Sequence, residues 1–493
     1  MARVREWSDL DTGRWGSEAP GAGGPLCESG NRPVWVAADD SPAWWEGGFS
    51  DQVALLEAGR CLRCGGPLDP APCSAACPAD QDVPGFVAAL ARGSWEDAAH
   101  AIFAENLLAA TCARICPSEE LCESACVLTR KGERPISIGQ LERYATDLAF
   151  QNPWASFRTT APPTGRRVTV IGAGPAGLAC AGELAALGHG VKLFEAGRDF
   201  GGLLRYGVGA DRSDHPHLPD EVRAIIGLGV ELYLDSPIDT PERLWQIEYN
   251  SDAIFLGIGM EESDRPFAGD QLPGILSALQ FFEQSKHAPL APGARVAVIG
   301  GGNTAVAVAR EAVRMGAAEV TVLCQWREQE VPAFRAEWAA ARADGIRFLH
   351  LTSPPRFLGS DHLDGIACQD VQRNAAPGRQ GTAAGASEFI LPVDLAVKAL
   401  GQAPRLGFLR WIDGLDLDGG RPRVDTATGQ TTNPKYFAGG AVVDGGVTIA
   451  AAARTGKRAA RGIDRWLSER NWMAPTSPET ATHPGAANQP GER

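Results

Sequence analysis

Twice in this chain an apolar strand breaks on a cluster of glycines and resumes as an apolar helix and a second strand. The two runs are RVTVIGAGPAGLACAGELAALGHGVKLFEAG from Arg167 and ARVAVIGGGNTAVAVAREAVRMGAAEVTVLCQ from Ala294. Strand, tight turn, helix and strand in that order form the βαβ unit that binds dinucleotides. Repeating it commits most of the chain to parallel sheets covered by helices, an α/β fold.

In the first unit Gly172 permits the tight turn, Gly174 lets a pyrophosphate approach the backbone, and Gly177 lets the helix pack close to the strand. Ala173, Pro175 and Ala176 complete the turn, and the helix N-terminus faces the phosphates. Glu195, at the end of the second strand, is placed to accept hydrogen bonds from a ribose 2′-OH. In the second unit Gly300, Gly302 and Ala305 take the three small-residue roles, with Gly301, Asn303 and Thr304 between them. Its strand-ending acid is replaced by Cys324-Gln325-Trp326-Arg327, where only Arg327 offers a cation for a 2′-phosphate. Two such sites imply a hydride donor and an acceptor that can hold electrons, most simply NAD(P)H and a flavin. Positioning then suffices for hydride transfer, and no catalytic side chain is assigned.

Ahead of the nucleotide units stand eight clustered cysteines: Cys61-x2-Cys64, Cys73-x3-Cys77-Pro78, Cys112-x3-Cys116-Pro117 and Cys122-x3-Cys126. Eight thiols can fill two four-ligand sites. Zinc ribbons share these short spacings, and a disulfide framework is disfavoured in a reducing cytosol. Beside a two-electron flavin, iron-sulfur clusters have a task, passing electrons one at a time, that zinc lacks.

At 493 residues the chain predicts roughly three domains. A net charge of -14 with no Lys/Arg run argues against nucleic acid. No apolar stretch approaches the roughly 18 residues of a membrane span, and the N-terminus lacks an apolar signal core, so a cytoplasmic protein is expected. The expected layout is an arm over 1–50, a small α-helical domain over 51–150, an FAD domain over 160–285 and 395–470, an NAD(P)H domain over 286–394, and a disordered tail over 471–493.

The cysteine segment, GAGPAGL, GGGNTA and FAGG, in this order and spacing, closely resemble the small (beta) subunit of glutamate synthase and the N-terminal half of dihydropyrimidine dehydrogenase. TCARICPSEELCESACVL and PISIGQLERYATD are more like the dihydropyrimidine dehydrogenase branch. The resemblance implies a helical domain with two [4Fe-4S] clusters, then nested Rossmann-like FAD and NAD(P)H domains. It also implies electron delivery to a partner subunit, of the glutamate synthase large-subunit kind or a flavin-barrel kind. Carried over, Cys61, Cys64 and Cys73 share one cluster with Cys126, while Cys77, Cys116 and Cys122 share the other with Glu142. Cys112 is left with Cys27, Cys180, Cys324 and Cys368 as a packing residue. Gly202, Leu203, Arg212, Gly401, Gly440 and Thr448 are further cofactor-binding candidates.

The chain departs from these relatives in four places. The GGPLDPAP loop is longer; Gln325 and Trp326 replace a basic pair, which favours NADH; Ala307 and Ala441 replace acidic residues; and YGVGADR loses a proline. These losses motivate one alternative, a degenerate relative serving as a structural or electron-relay scaffold.

Overall fold

The computed structural model describes residues 48–66, 69–152, 159–207, 217–263, 265–352, 356–369, 388–446 and 448–469. Most of the expected arm, the expected tail and Arg212 lie outside them.

The cysteine segment forms a small helical domain: α1 (Asp51–Gly59), α2 (Val83–Ala91), α3 (Trp95–Glu105), α4 (Ala109–Ile115) and α5 (Ile138–Gln151). Asp82 caps α2 by accepting from the Gly85 N–H, and Pro84 fits its first turn, where no N–H is needed. The helices bury Phe86, Leu90, Ile102, Phe103 and Leu141 in one core.

Two parallel sheets follow. In the first, β1 (Arg167–Ile171) is flanked by β2 (Gly190–Phe194) and then β3 (Val230–Tyr233) on one side. On its other side lie β4 (Ala253–Leu256) and β10 (Tyr436–Ala438). The second has the order β5 (Ile275–Ser277), β9 (Leu395–Lys398), β6 (Arg295–Ile299), β7 (Glu319–Leu323) and β8 (Arg347–Leu349). Both are doubly buried and read as near-continuous apolar runs, as parallel sheets do. The expected boundaries therefore shift: 275–277 and 395–398 were assigned by position to the FAD domain but pair in the second sheet. The return to the first sheet comes only at Tyr436. Where the chain crosses between sheets, Glu261–Glu262 and Gln402–Ala403 pair antiparallel.

One helix ties the parts together. Helix α9 (Ile449–Glu469) lies along α6 (Pro175–Ala186), the phosphate-side helix of the first unit, and Gly456 sets their separation. A Cβ at Gly456 would stand 2.1 Å from the Ala176 carbonyl oxygen. Leu107 and Leu108, from the helical domain, are buried in the core of the first sheet domain, and Lys457 donates to the Glu105 carbonyl and carboxylate at 2.9 and 2.8 Å. A charged chain seals the same junction. Asp147 on α5 pairs with Arg114 on α4 and lies 3.3 Å from His217, whose other nitrogen lies 3.1 Å from Asp220. Carboxylates thus face the ring on both sides, and each can accept from one ring nitrogen when the ring is protonated. Burial alone would lower the His217 value, but these hydrogen bonds carry it above the ordinary histidine range.

Two outcomes follow. Gly456→Ala overpacks the α6–α9 contact, costing about 1–3 kcal/mol, and is expected to lower both the melting temperature and FAD retention in a thermal melt followed by flavin fluorescence. A histidine raised by folding stabilises below its unfolded value of about 6.5 and loses that contribution as pH rises through the folded value. The melting-temperature gap between wild type and His217→Asn should thus be widest in mild acid and close as pH rises.

Candidate functional site

At the end of β1 the chain turns through Gly172 (φ 100°), where a Cβ would stand 2.4 Å from the Gly257 carbonyl oxygen. At Gly177 a Cβ would stand 1.8 Å from the Gly172 oxygen. Only glycine permits this approach of helix to strand. Gly174 instead faces open space at the start of α6, where Pro175 occupies N1. The opposite wall is the 201–203 segment: Gly201 N–H donates to the Ala173 oxygen at 2.8 Å, and a Cβ at Gly202 would come 3.1 Å from Gly174 Cα. Leu203, exposed, follows it.

Glu195 closes the rim. Its carboxylate accepts from the Ala173 N–H at 2.7 Å and the Gly197 N–H at 2.9 Å, which leaves acceptor positions for a ribose. Gly440 (φ 72°) abuts Ala176, its N–H bonded to Thr455 Oγ1 at 2.8 Å. Thr448 caps α9 through the Ala451 N–H at 3.1 Å, one turn before Ala452, which touches Gly440. The cradle thus gathers every described flavin-side candidate around one helix N-terminus, open where a pyrophosphate would lie. Gly257 belongs to the same cradle; the LGIG segment after β4 was its only sequence signal.

The second cradle repeats the device. Gly300 has its would-be Cβ 2.2 Å from the Ala399 oxygen and 3.3 Å from Ala305 Cβ, while Gly302 faces open space at the start of α8 (Asn303–Arg314). Asn303 Oδ1 accepts from the Phe334 N–H at 2.7 Å, so this side chain braces the loop leading away from the site. Thr304 lies in the first turn of the same helix. Gly401, beyond β9, accepts from Ser263 N–H at 3.0 Å at the crossing between sheets. Beyond β7 the Trp326 ring lies against Gly301, whose would-be Cβ meets it at 2.9 Å, while Gln325 and Arg327 are exposed. Cys324 is buried below, 3.3 Å from His350 Nδ1.

All eight clustered cysteines are free thiols. Cys61, Cys64, Cys73 and Cys126 line one cavity whose remaining walls are apolar, among them Val87, Leu128 and Ile138. Gly66 and Asp69, ahead of Cys73, pair by reciprocal backbone hydrogen bonds. Cys77 and Cys116 pack together beneath Ala450 of α9. Cys122 instead packs against the helical core on which Cys61 and Cys73 also pack. Burial pushes the Cys73 and Cys77 thiols up to about 11, so ligation to iron has to displace their protons.

Glu142 points the same way. Burial first, then the Glu221 charge, pushes its carboxyl up to about 8, and it has no hydrogen-bond donor or cation among the described residues. Iron would supply what this oxygen lacks. Glu221 is itself held by the Thr111 N–H and hydroxyl. Neither it nor Asn106, which donates to Cys112 Sγ at 3.3 Å, carried any sequence signal, because both act through tertiary contacts. Among the described residues no group of His, Cys, Asp or Glu converges on a single metal ion; a four-iron cube instead takes its ligands one per iron around its corners. Among them too, no helix is long and apolar enough to cross a membrane.

Comparisons with known proteins agree with this division. Residues 43–154 match the family described as dihydropyrimidine dehydrogenase domain II, 4Fe-4S cluster, and residues 166–456 match pyridine nucleotide-disulphide oxidoreductase. The chain is 32% identical over 443 residues to the glutamate synthase [NADPH] small chain of Escherichia coli, covering 85% of this chain and 92% of that one. To the NADP(+)-dependent formate dehydrogenase subunit beta of Moorella thermoacetica it is 32% identical, over 93% of this chain and 68% of that one. To the NAD-dependent dihydropyrimidine dehydrogenase subunit PreT of Salmonella typhimurium it is 31% identical, over 86% and 96%. Thioredoxin reductase of Lactococcus lactis shares the fold of the nucleotide domains, with a TM-score of 0.50, 19% identity, and coverage of 62% of this chain and 100% of that one. The chain therefore belongs to the family of glutamate synthase small subunits and dihydropyrimidine dehydrogenase N-terminal halves, NAD(P)H-dependent oxidoreductases that carry FAD and [4Fe-4S] iron-sulfur centres.

Proposed function

We propose that this chain is an electron-input subunit that accepts hydride from NAD(P)H and delivers single electrons through two [4Fe-4S] clusters to a separate redox subunit. The observation that carries the reading is the seat of α9. Its first turn follows Thr448 at the flavin cradle, and its Ala450 shares one buried cluster with Cys112, against which Cys77 and Cys116 pack. When bound, the flavin converts two-electron hydride chemistry into the one-electron steps that iron-sulfur clusters carry. The residues supply position. Gly174 and Gly302 leave the two helix N-termini open to pyrophosphates, Glu195 fixes a ribose, and Cys122 packs against the same core as Cys61 and Cys73. The names of the three relatives, each a chain or subunit of a larger enzyme, support delivery to a partner.

The second cradle favours NADH. Gln325 and Trp326 offer no charge to a 2′-phosphate, and within the 324–327 segment only Arg327 does. Anaerobic stopped-flow mixing should show flavin bleaching by NADH at lower KM than by NADPH. Arg327→Ala should leave the NADH reaction unchanged and cut kcat/KM for NADPH by about 10–100-fold, the worth of one charged hydrogen bond. No bleaching by either nucleotide overturns the enzyme reading and leaves the scaffold alternative.

The ligand assignment has its own test. Cys77→Ser and Glu142→Gln should alter the same electron paramagnetic resonance signal of the reduced protein, and Cys61→Ser the other. One signal altered by all three would refute the two sets.

A further inference from the structure

The second thiol set contains one more sulfur than the assignment above uses. Cys112 lies one turn before Cys116 on α4 and is 3% exposed. It packs in a single buried group with Cys77, Cys116, Ala79 and Ala450. It was expected to be packing alone, yet its surroundings are polar and ordered. Asn106, 4% exposed, donates from Nδ2 to Cys112 Sγ at 3.3 Å, while its Oδ1 accepts the Leu108 N–H at 3.0 Å. The second bond fixes which end of the amide faces the sulfur. With the sulfur already accepting from Asn106, its own S–H is the group left to donate, and Cys116, one helical turn on and packed against the same buried group, carries the neighbouring sulfur.

Hydrogen bonds to the sulfurs of an iron-sulfur site favour the reduced, more negative state and raise its potential. We propose that Cys112 is a positioning residue of the second cluster: oriented by Asn106, its thiol donates to the Cys116 sulfur and raises that cluster's reduction potential at the point where α9 brings the flavin side closest. The inference rests on Cys116 being a ligand, as assigned above.

The test uses the full chain, purified anaerobically, with iron and sulfide content and a redox titration followed by electron paramagnetic resonance. Cys112→Ala is expected to keep full iron and to shift one signal alone to lower potential, so that at the wild-type midpoint this cluster is mostly oxidised while the other cluster and the flavin are unmoved. Cys112→Ser, whose hydroxyl can donate in place of the thiol, should restore the potential. Should the alanine variant not fold, the serine variant still decides, since a potential well below wild type overturns the proposal. An unmoved potential in Cys112→Ala means packing alone and overturns it; loss of half the iron means that Cys112 is itself a ligand and overturns it too. Cys116→Ser separates the underlying assignment: full iron with both native signals would remove Cys116 as a ligand, whatever the Cys112 variants do.

Discussion

The close approach of α9 to α6 governs the rest of the molecule. Gly456 has no side chain because the Ala176 backbone occupies its place, and a shift of α9 outward would move three things together. The Gly440 turn would lose Thr455, the flavin cradle would lose its Thr448 end, and Ala450 would leave the second thiol set. Polar contacts that each pair a buried charge with an exposed partner also hold this helix, Lys457 to Glu105 and Arg461 to Glu183 at 2.8 Å. Breaking one partner of such a pair leaves an uncompensated charge, so these contacts define register more than they add stability.

Two copies of one backbone device serve two cofactors because their differences lie beyond the glycines. Each cradle has a glycine with positive φ abutting a carbonyl at the strand end and an open glycine at the helix start. The second strand then decides what is recognised. In the first unit Glu195 is held by two N–H groups and can accept from a ribose hydroxyl but would repel a 2′-phosphate. In the second, a tryptophan covers Gly301 and one exposed arginine follows it, a flatter and less charged surface. Affinity for the shared pyrophosphate and discrimination between nucleotides thus belong to separate residues.

Much of this was legible in the sequence where the information is local. Both glycine turns, their helices and Glu195 could be read because one turn of backbone dictates which residues fit. The strands at 275–277 and 395–398 could not be placed, since either sheet accepts a short apolar run and only long-range pairing decides between them. The cysteine spacings announced two sites but not their membership, for RCLRCGGPLDPAPCSAACP looks self-contained. Cys73 and Cys77 part only because the short helix over Pro72–Ala76 turns them toward different neighbours. Cys112 is illegible for the same reason: nothing local distinguishes a thiol against core methyls from one against another sulfur.

That distinction bears on what Glu142 would bring to the second thiol set. Burial pushes the carboxyls of Glu221 and Glu123 nearby up to about 7. A carboxylate carries the same single charge as a thiolate but is a harder oxygen donor, so it would give iron less electron density than a fourth sulfur. The cavity lined by Cys61, Cys64, Cys73 and Cys126 is otherwise walled by apolar side chains such as Val87, Leu128 and Ile138. Two clusters that differed in ligand set, burial and hydrogen bonding would differ in potential, the property that sets how electrons distribute between them.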